Sequence, residues 1–336
     1  TLGGEAAKEI LDLVAYGENE FVPVSDSLQE VVEMIDAARE HKGKINGLTS
    51  GIHDLDVITT GFQGGDLIIL AARPGQGKTS FALNIARHLV KQNIPVGMVS
   101  LEMREKKLIM RLVAMEAKID STKAKLGELD DQDYARISRA VEKITAFPLY
   151  LDCSAGQNIA KMLSRIRSAV IKYRFRLVII DYLQLINVTS KYFNRNVEIG
   201  FLTSALKNLA VDLNLPIMAL SQLSREIEKG KFRLPILSDL RESGNIENDA
   251  DAVMFISRPE LSGLERYKLD KVDYNSKNLA ILLLAKHRDG ASNKKIPLQF
   301  IPERTEFIAI DQRYEEPLRH PDEPTYSRDD EDEEPF

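Results

Sequence analysis

The stretch Leu67-Ile68-Ile69-Leu70-Ala71-Ala72-Arg73-Pro74-Gly75-Gln76-Gly77-Lys78-Thr79-Ser80 decides the architecture of this 336-residue chain. An apolar run, Leu67 to Ala71, breaks at a Pro/Gly turn, and apolar residues return at helical spacing as Phe81, Ile85 and Leu89. Strand, glycine turn and helix start in that order make a phosphate-binding loop. Glycines let successive backbone N–H groups face an anion, and the helix N-terminus adds partial positive charge. Lys78 is placed to reach the outer phosphates and the Thr79 hydroxyl to hold Mg²⁺. Arg73, Pro74, Gly75, Gln76, Gly77 and Ser80 complete the cradle. The opening glycine of the usual G-x-x-x-x-G-K-[ST] pattern is Ala72 here, which changes the spelling but not the turn. The chain is expected to bind a nucleoside triphosphate.

A second run answers the first. Arg176-Leu177-Val178-Ile179-Ile180-Asp181 is apolar and β-branched up to a terminal carboxylate, as a strand buried on both faces should be. Ligands of open α/β sheets sit beyond the carboxyl ends of the strands. Asp181 is therefore expected to orient Mg²⁺ opposite Thr79. Taken without the loop, the same run would read as a buried strand ending in a helix-capping aspartate.

Outward from these two strands the pattern alternates: strand 67–71, helix 79–92, strand 95–100, helix 105–117, a helical stretch at 130–145, and strand 149–152. Helix 158–173, strand 176–181, helix 197–213 and strands 216–221 and 251–256 follow. Strand 279–286 pairs with 296–301 through a Gly-containing turn. Strands joined by helical crossovers predict an α/β fold with a mostly parallel central sheet flanked by helices. The last pair is expected to form an antiparallel hairpin at one edge. Ahead of this core, over residues 1–44, lie two helical segments. Ala6 to Tyr16 carries Ile10, Leu11 and Val14 on one face, and Leu28 to His41 carries Leu28, Val31, Val32, Ile35 and Ala38.

Other strand ends carry groups suited to chemistry. Glu102, just past strand 95–100, is placed either to activate a water near the terminal phosphate or to favour the start of the next helix through its dipole. Gln222, after strand 216–221, can hydrogen-bond a terminal phosphate and report its loss. The polar loop through Arg241 and Gly244 offers a guanidinium and backbone N–H groups to a phosphodiester. Lys286 and Arg288 stand at alternate positions, hence on one face. They read as solvated edge residues, or as cations lent to a neighbouring subunit's nucleotide. The adjacent Asp289 points away, so neither has a local carboxylate partner.

Composition sets the outer limits. The net charge of −6 divides into a tail from Glu315 to Phe336, with ten acidic residues against two arginines, and a body of +2. Such a tail is expected to be disordered over 313–336. No apolar run approaches membrane-spanning length. Cys153 is the single cysteine, which excludes an intrachain disulfide and predicts a small buried hydrophobe in a reducing, cytoplasmic setting.

In this order, from Ile45 to Ile310, these segments resemble the C-terminal ATPase domain of DnaB-type replicative helicases, a RecA-like fold. The resemblance rests on Ala71 to Thr79, Ser100-Leu101-Glu102-Met103, Asp181-Tyr182-Leu183-Gln184, Ser221-Gln222-Leu223-Ser224-Arg225 and Asp239-Leu240-Arg241-Glu242-Ser243-Gly244. It implies an ATP- and Mg²⁺-dependent motor that assembles as a ring, by resemblance a homohexamer, and moves on single-stranded DNA. Glu102 would be the catalytic base, Gln222 the phosphate sensor, and Lys286 with Arg288 the cations acting from a neighbour. Arg241, Glu242 and Gly244 would grip the DNA backbone, with Lys191, Tyr192 and Arg195 as a second DNA loop. The helix at 6–16 would be the linker that docks on the next subunit, and primase and a helicase loader would be partners. The family's N-terminal helical domain has no counterpart in these residues. Its frequent Gly-Pro-Thr-Gly turn after the Lys-x-Arg strand is replaced by Gly290-Ala291-Ser292-Asn293. A RecA-type filament, or an ATP-gated DNA-binding scaffold with weak unwinding, would be the alternatives.

Overall fold

A computed structural model describes residues 23–40, 45–154, 158–186, 195–223, 232–240 and 244–310. Two compact units divide the chain at Asn46/Gly47. In the first, helix α1 (Val24–Glu40) leaves Leu28, Val31, Val32 and Ile35 exposed. The linker-helix reading of 6–16 and the acidic tail lie outside the described residues.

The second unit begins with α2 (His53–Thr59) and then alternates. Strand β1 (Leu67–Ala72) leads through the glycine turn to α3 (Lys78–Lys91), β2 (Val96–Ser100) and α4 (Glu105–Ala117). Next come α5 (Ser121–Leu126), α6 (Asp131–Thr145), β3 (Leu149–Asp152), α7 (Ile159–Tyr173) and β4 (Leu177–Asp181). Then follow α8 (Arg195–Asp212), β5 (Ile217–Gln222), α9 (Gly244–Asp249) and β6 (Ala252–Ser257). The last strands are β7 (Arg266–Leu269), β8 (Val272–Asn275), β9 (Leu279–His287), β10 (Lys294–Ile301) and β11 (Glu306–Ala309).

Among the described residues nine strands form one sheet in the order β11-β10-β9-β6-β1-β5-β4-β2-β3. From β6 to β3 all neighbours run parallel, and β9, β10 and β11 continue antiparallel. The predicted hairpin is present, but β11 pairs outside β10 and takes the edge position. At four residues β11 is too short to show a period. Helix α5 and the separate β7–β8 ribbon are further additions to the elements read from sequence.

Why β1 reads as an unbroken apolar run is visible in its packing. Ile68, Leu70 and Ala72 face a core shared with Phe81, Ile85 and Leu89 of α3 and Leu108 and Leu112 of α4. Leu67, Ile69 and Ala71 face the opposite core, against Ile166 of α7 and Ile199, Leu202, Leu206 and Leu209 of α8. Both faces are dry, so the period of two separates two cores rather than core from solvent. Helix starts are set by short polar side chains. Asp130 accepts from Asp133 N–H at 2.7 Å to open α6, and Asn158 accepts from Ala160 N–H at 2.8 Å to open α7. Cys153 is half-buried, not fully buried as expected, because it follows the edge strand β3.

Candidate functional site

Strands β1, β5, β4 and β2 are adjacent and parallel, so their carboxyl ends open on one side of the sheet. The phosphate loop stands there. Gly75 and Gly77 have φ of 80° and 98°, in the left-handed region that favours glycine. A Cβ on Gly77 would stand 2.7 Å from Phe307 Cζ, so both space and torsion require glycine. Helix α3 has no acidic residue in its first turn and no side chain capping it, which leaves its leading N–H groups to an external acceptor.

Lys78, Thr79 and Ser80 are buried at the start of α3. Asp181, at the end of β4, has no exposed surface. The Thr79 hydroxyl donates to Asp181 Oδ2 at 2.7 Å, joining residues 102 positions apart. Lys78 Nζ lies 3.9 Å from Asp181 Oδ1 and 4.2 Å from the centre of the Tyr182 ring. Among the described residues no hydrogen bond reaches Asp181 Oδ1, although it is buried. Burial pushes the Asp181 carboxyl above its ordinary range, with Lys78 and the Thr79 hydroxyl opposing and Glu102 adding to the rise. Burial likewise pushes Lys78 down, against the attraction of Asp181 and Glu102. Both charged forms are thus strained in place. An orphaned buried carboxylate oxygen beside a hydroxyl suits a hard cation that prefers oxygen ligands. Among the described residues no cluster of three or more His, Cys, Asp or Glu side chains converges as a metal site. A metal here would therefore take its remaining ligands from phosphate and water.

Glu102 is exposed on the loop between β2 and α4. That loop is pinned by Leu101 N–H donating to Asp181 O at 2.7 Å, Met103 N–H to Ser100 Oγ at 3.2 Å and Ser100 Oγ to Met103 O at 3.1 Å. Glu102 stands two residues ahead of Arg104, the N-cap of α4, and Glu105 occupies the first turn of that helix. Gln222 ends β5 in register with Ala72 of β1. Gln184 clasps that strand end, donating to Ser221 Oγ at 2.9 Å and accepting from Gln222 N–H at 3.2 Å.

Two residues that sequence reading missed border the site. Arg111 of α4 places Nη1 3.5 Å from Ser80 Oγ. Arg258, after β6, donates its backbone N–H to Gln76 Oε1 at 2.5 Å, and its guanidinium lies 3.9 Å from the centre of the Phe300 ring. A charged residue flanking an apolar helix face, or following a core strand, is the only signal these positions offer, and surface residues share it.

Lys286 and Arg288 lie elsewhere. His287 is level with Ala252, Ala252 with Ile68, and the phosphate loop leaves β1 beyond Ala72. Four residues of strand separate the two levels, roughly 13 Å. Both cations turn to the junction of α9 and β6, as positions on one face should. Lys286 Nζ donates to Glu247 O and, at 2.8 Å, to Ala250 O. Arg288 meets Asp251 Oδ1 at 3.3 Å. The carboxylate that meets Arg288 is not a local one: Asp251 is distant in sequence and reaches Arg288 because β9 runs back along β6. The substituted turn closes with His287 N–H donating to Ser292 Oγ at 3.1 Å and with Asn293 left-handed at φ 57°.

Of the expected DNA contacts, Lys191, Tyr192, Arg241 and Glu242 and the Arg195 side chain lie outside the described residues, and Gly244 opens α9. Asp239, at the root of that loop, is held by Arg233 at 2.6 and 2.7 Å and by Ile236 N–H at 2.9 Å. No helix among the described residues is long and apolar enough to cross a membrane.

Comparison with known proteins converges with this geometry. Residues 47–309 match the family model described as the DnaB-like helicase C terminal domain. The chain is 37% identical over 331 residues to the replicative DNA helicase DnaB of Rickettsia conorii, covering 92% of this chain and 67% of that one. It is 35% identical to the replicative DNA helicase DnaC of Bacillus subtilis, covering 93% of this chain and 67% of that one. A solved structure of a DnaB-like replicative helicase, described with its interactions with primase, superposes with a TM-score of 0.76 at 34% identity. That match covers 92% of this chain and 72% of the other. The chain thus spans about two thirds of the length of these relatives. With a phosphate loop on a mostly parallel sheet and this match over most of its length, the chain belongs to the DnaB-like helicase C-terminal domain family.

Proposed function

We propose that the chain is the ATP-hydrolysing motor of a replicative DNA helicase, working as a ring, a homohexamer by analogy, that translocates on single-stranded DNA and separates duplex. The observation that carries this is Asp181: a fully buried carboxylate with one oxygen on Thr79 and the other, 3.9 Å from Lys78, without a hydrogen bond among the described residues, at the mouth of an uncapped phosphate loop.

The loop N–H groups and Lys78 receive the phosphates of ATP, and Arg73 to Ser80 form the cradle. Thr79 and Asp181 would hold Mg²⁺, which supplies charge neutralisation on the phosphates. Glu102 accepts the proton of the attacking water, and Gln222, level with the start of the loop, contacts the terminal phosphate. Lys286 and Arg288 stand too far along the sheet to serve their own loop, which favours their action on the nucleotide of a neighbour. A head-to-tail interface of that kind closes into a ring when the rotation permits. Arg241, Glu242 and Gly244, with Lys191 and Arg195, contact the DNA backbone, and primase and a loader dock on the assembled ring.

The test is unwinding of forked duplexes bearing a single 5′ or 3′ tail, with ATP and with a non-hydrolysable analogue. ATP-dependent strand separation on one polarity is expected. ATP hydrolysis stimulated by single-stranded DNA without separation of either fork would demote the chain to an ATP-gated DNA-binding module.

A further inference from the structure

Lys78, Asp181, Glu102 and Arg111 are neighbouring charges at the head of the nucleotide site. Lys78, Asp181 and Glu102 have roles in the reading above, whereas Arg111 has none. Its helix, α4, buries Leu108, Leu112 and Met115 in the core beneath α3, which turns Arg111 toward the first turn of α3. The guanidinium is half-buried and forms no ion pair among the described residues. Among the described residues its one side-chain hydrogen bond is the long 3.5 Å contact to Ser80 Oγ. A half-buried guanidinium with five donors and a single weak acceptor has capacity to spare. Burial pushes it down from its ordinary value, while the charges of Asp181 and Glu102 pull it back, so both carboxylates act on it.

Glu102 is in the complementary position. Its backbone is fixed through Leu101 N–H on Asp181 O at 2.7 Å, yet its carboxylate has no hydrogen bond or ion pair among the described residues. It also shares the site with Asp181, a like charge that repels it. Before nucleotide binds, Lys78 is the cation nearest Asp181. Once Lys78 is engaged by phosphates, Arg111 is a second in-chain cation that Asp181 and Glu102 both attract.

We propose that Arg111 is a positioning residue: braced on Ser80, it holds the Glu102 carboxylate toward the terminal phosphate and offsets the repulsion of Asp181. This rests on the reading of Glu102 as the base. The Arg111–Ser80 contact ties the base to the phosphate-loop helix itself, so the base keeps register with the loop that binds its substrate.

The test is a double-mutant cycle on the full chain with single-turnover ATP hydrolysis and fluorescent-nucleotide binding as separate readouts. Arg111→Gln is expected to slow the single turnover by about 10²-fold, the scale of a misplaced reacting group, without weakening ATP binding. Arg111→Lys, which keeps the charge but not the fork, should recover part of that loss. Arg111→Gln added to Glu102→Gln should slow hydrolysis no further, because a holder has no effect without what it holds. Multiplicative loss in the double variant would overturn the proposal, as would weakened ATP binding with normal single turnover. Should Arg111→Gln not fold, Arg111→Lys completes the same cycle. Normal turnover in Glu102→Gln would instead remove the base assignment. A slow Glu102→Gln beside an unimpaired Arg111→Gln would remove Arg111 alone.

Discussion

Two buried aspartates at opposite ends of the same sheet have opposite surroundings. Asp251, before β6, is saturated: Oδ2 accepts from Lys207 Nζ at 2.6 Å and Leu67 N–H at 2.8 Å, and Oδ1 meets Arg288 at 3.3 Å. Burial alone would raise its pKa, but Lys207, Leu67 N–H and Arg288 together hold it below the ordinary value. Asp181, after β4, has one hydroxyl donor, one distant ammonium and an orphaned oxygen, and its pKa is raised. The first fastens β1, α8, β6 and β9 together, while the second is kept short of partners. Under-satisfied charge marks the end of the sheet where a ligand must complete the structure, and satisfied charge marks the end that only has to hold.

The largest effect should come from asking whether Arg288 belongs wholly to the holding end. Arg288→Ala should reduce ATP hydrolysis by about 10³–10⁵-fold if it acts on a neighbour's phosphate. Mixing Arg288→Ala with Lys78→Ala subunits, each inactive alone, should restore activity, because one lends the guanidinium and the other the intact loop. An effect of Arg288→Ala on melting temperature alone, with hydrolysis intact, would return it to a structural partner of Asp251.

Glu102→Gln comes next. Losing a positioned base should slow single-turnover hydrolysis by about 10²–10⁴-fold with ATP affinity retained. Weaker ATP binding with a normal chemical step would move Glu102 out of the chemistry.

The comparison itself breaks or holds on stability. Asp251→Asn should cost about 3 kcal/mol, because Lys207 is left without its carboxylate. Asp181→Asn should stay within about 1 kcal/mol of the parent while abolishing hydrolysis, since it relieves a strained charge. Equal losses in urea denaturation would mean that Asp181 is as structural as Asp251.

Smallest, and sharpest in sign, is the pH dependence. The folded pKa of Asp251 lies below its ordinary value of 3.8. On acidification the unfolded chain therefore takes that proton first. The stabilisation is complete above 3.8 and is lost as pH falls through the lowered folded value. Asp181 reverses this, with a folded pKa above 3.8, so the native state loses stability as pH rises through that window. Urea midpoints across pH should show Asp251→Asn flattening the acid limb and Asp181→Asn removing the loss on the higher side.

Residues that act through their own position in a local pattern were legible. Leu67 to Ser80 announces strand, turn and helix because glycine torsions and apolar periods are local properties, and Asp181 closes an apolar run that can only be a buried strand. The α/β class and the order of alternation followed from the same periods. Elements too short to repeat were not legible: β11, α5 and the β7–β8 ribbon have four to six residues per element. Glu102 was half-legible, since a carboxylate after a strand fits either a helix start or a phosphate, and in the fold it stands two residues ahead of Arg104, the N-cap of α4.

By itself the sequence determined that a phosphate loop, a carboxylate on a buried strand and a set of helical crossovers belong to one sheet. Tertiary structure decided which charges meet. It brought Thr79 to Asp181 across 102 positions, set Arg111 over Ser80 from a different helix, and gave Arg288 to Asp251 by folding β9 back along β6. Torsions and periodicity are written residue by residue, but the field at a charge sums over neighbours that only packing assembles.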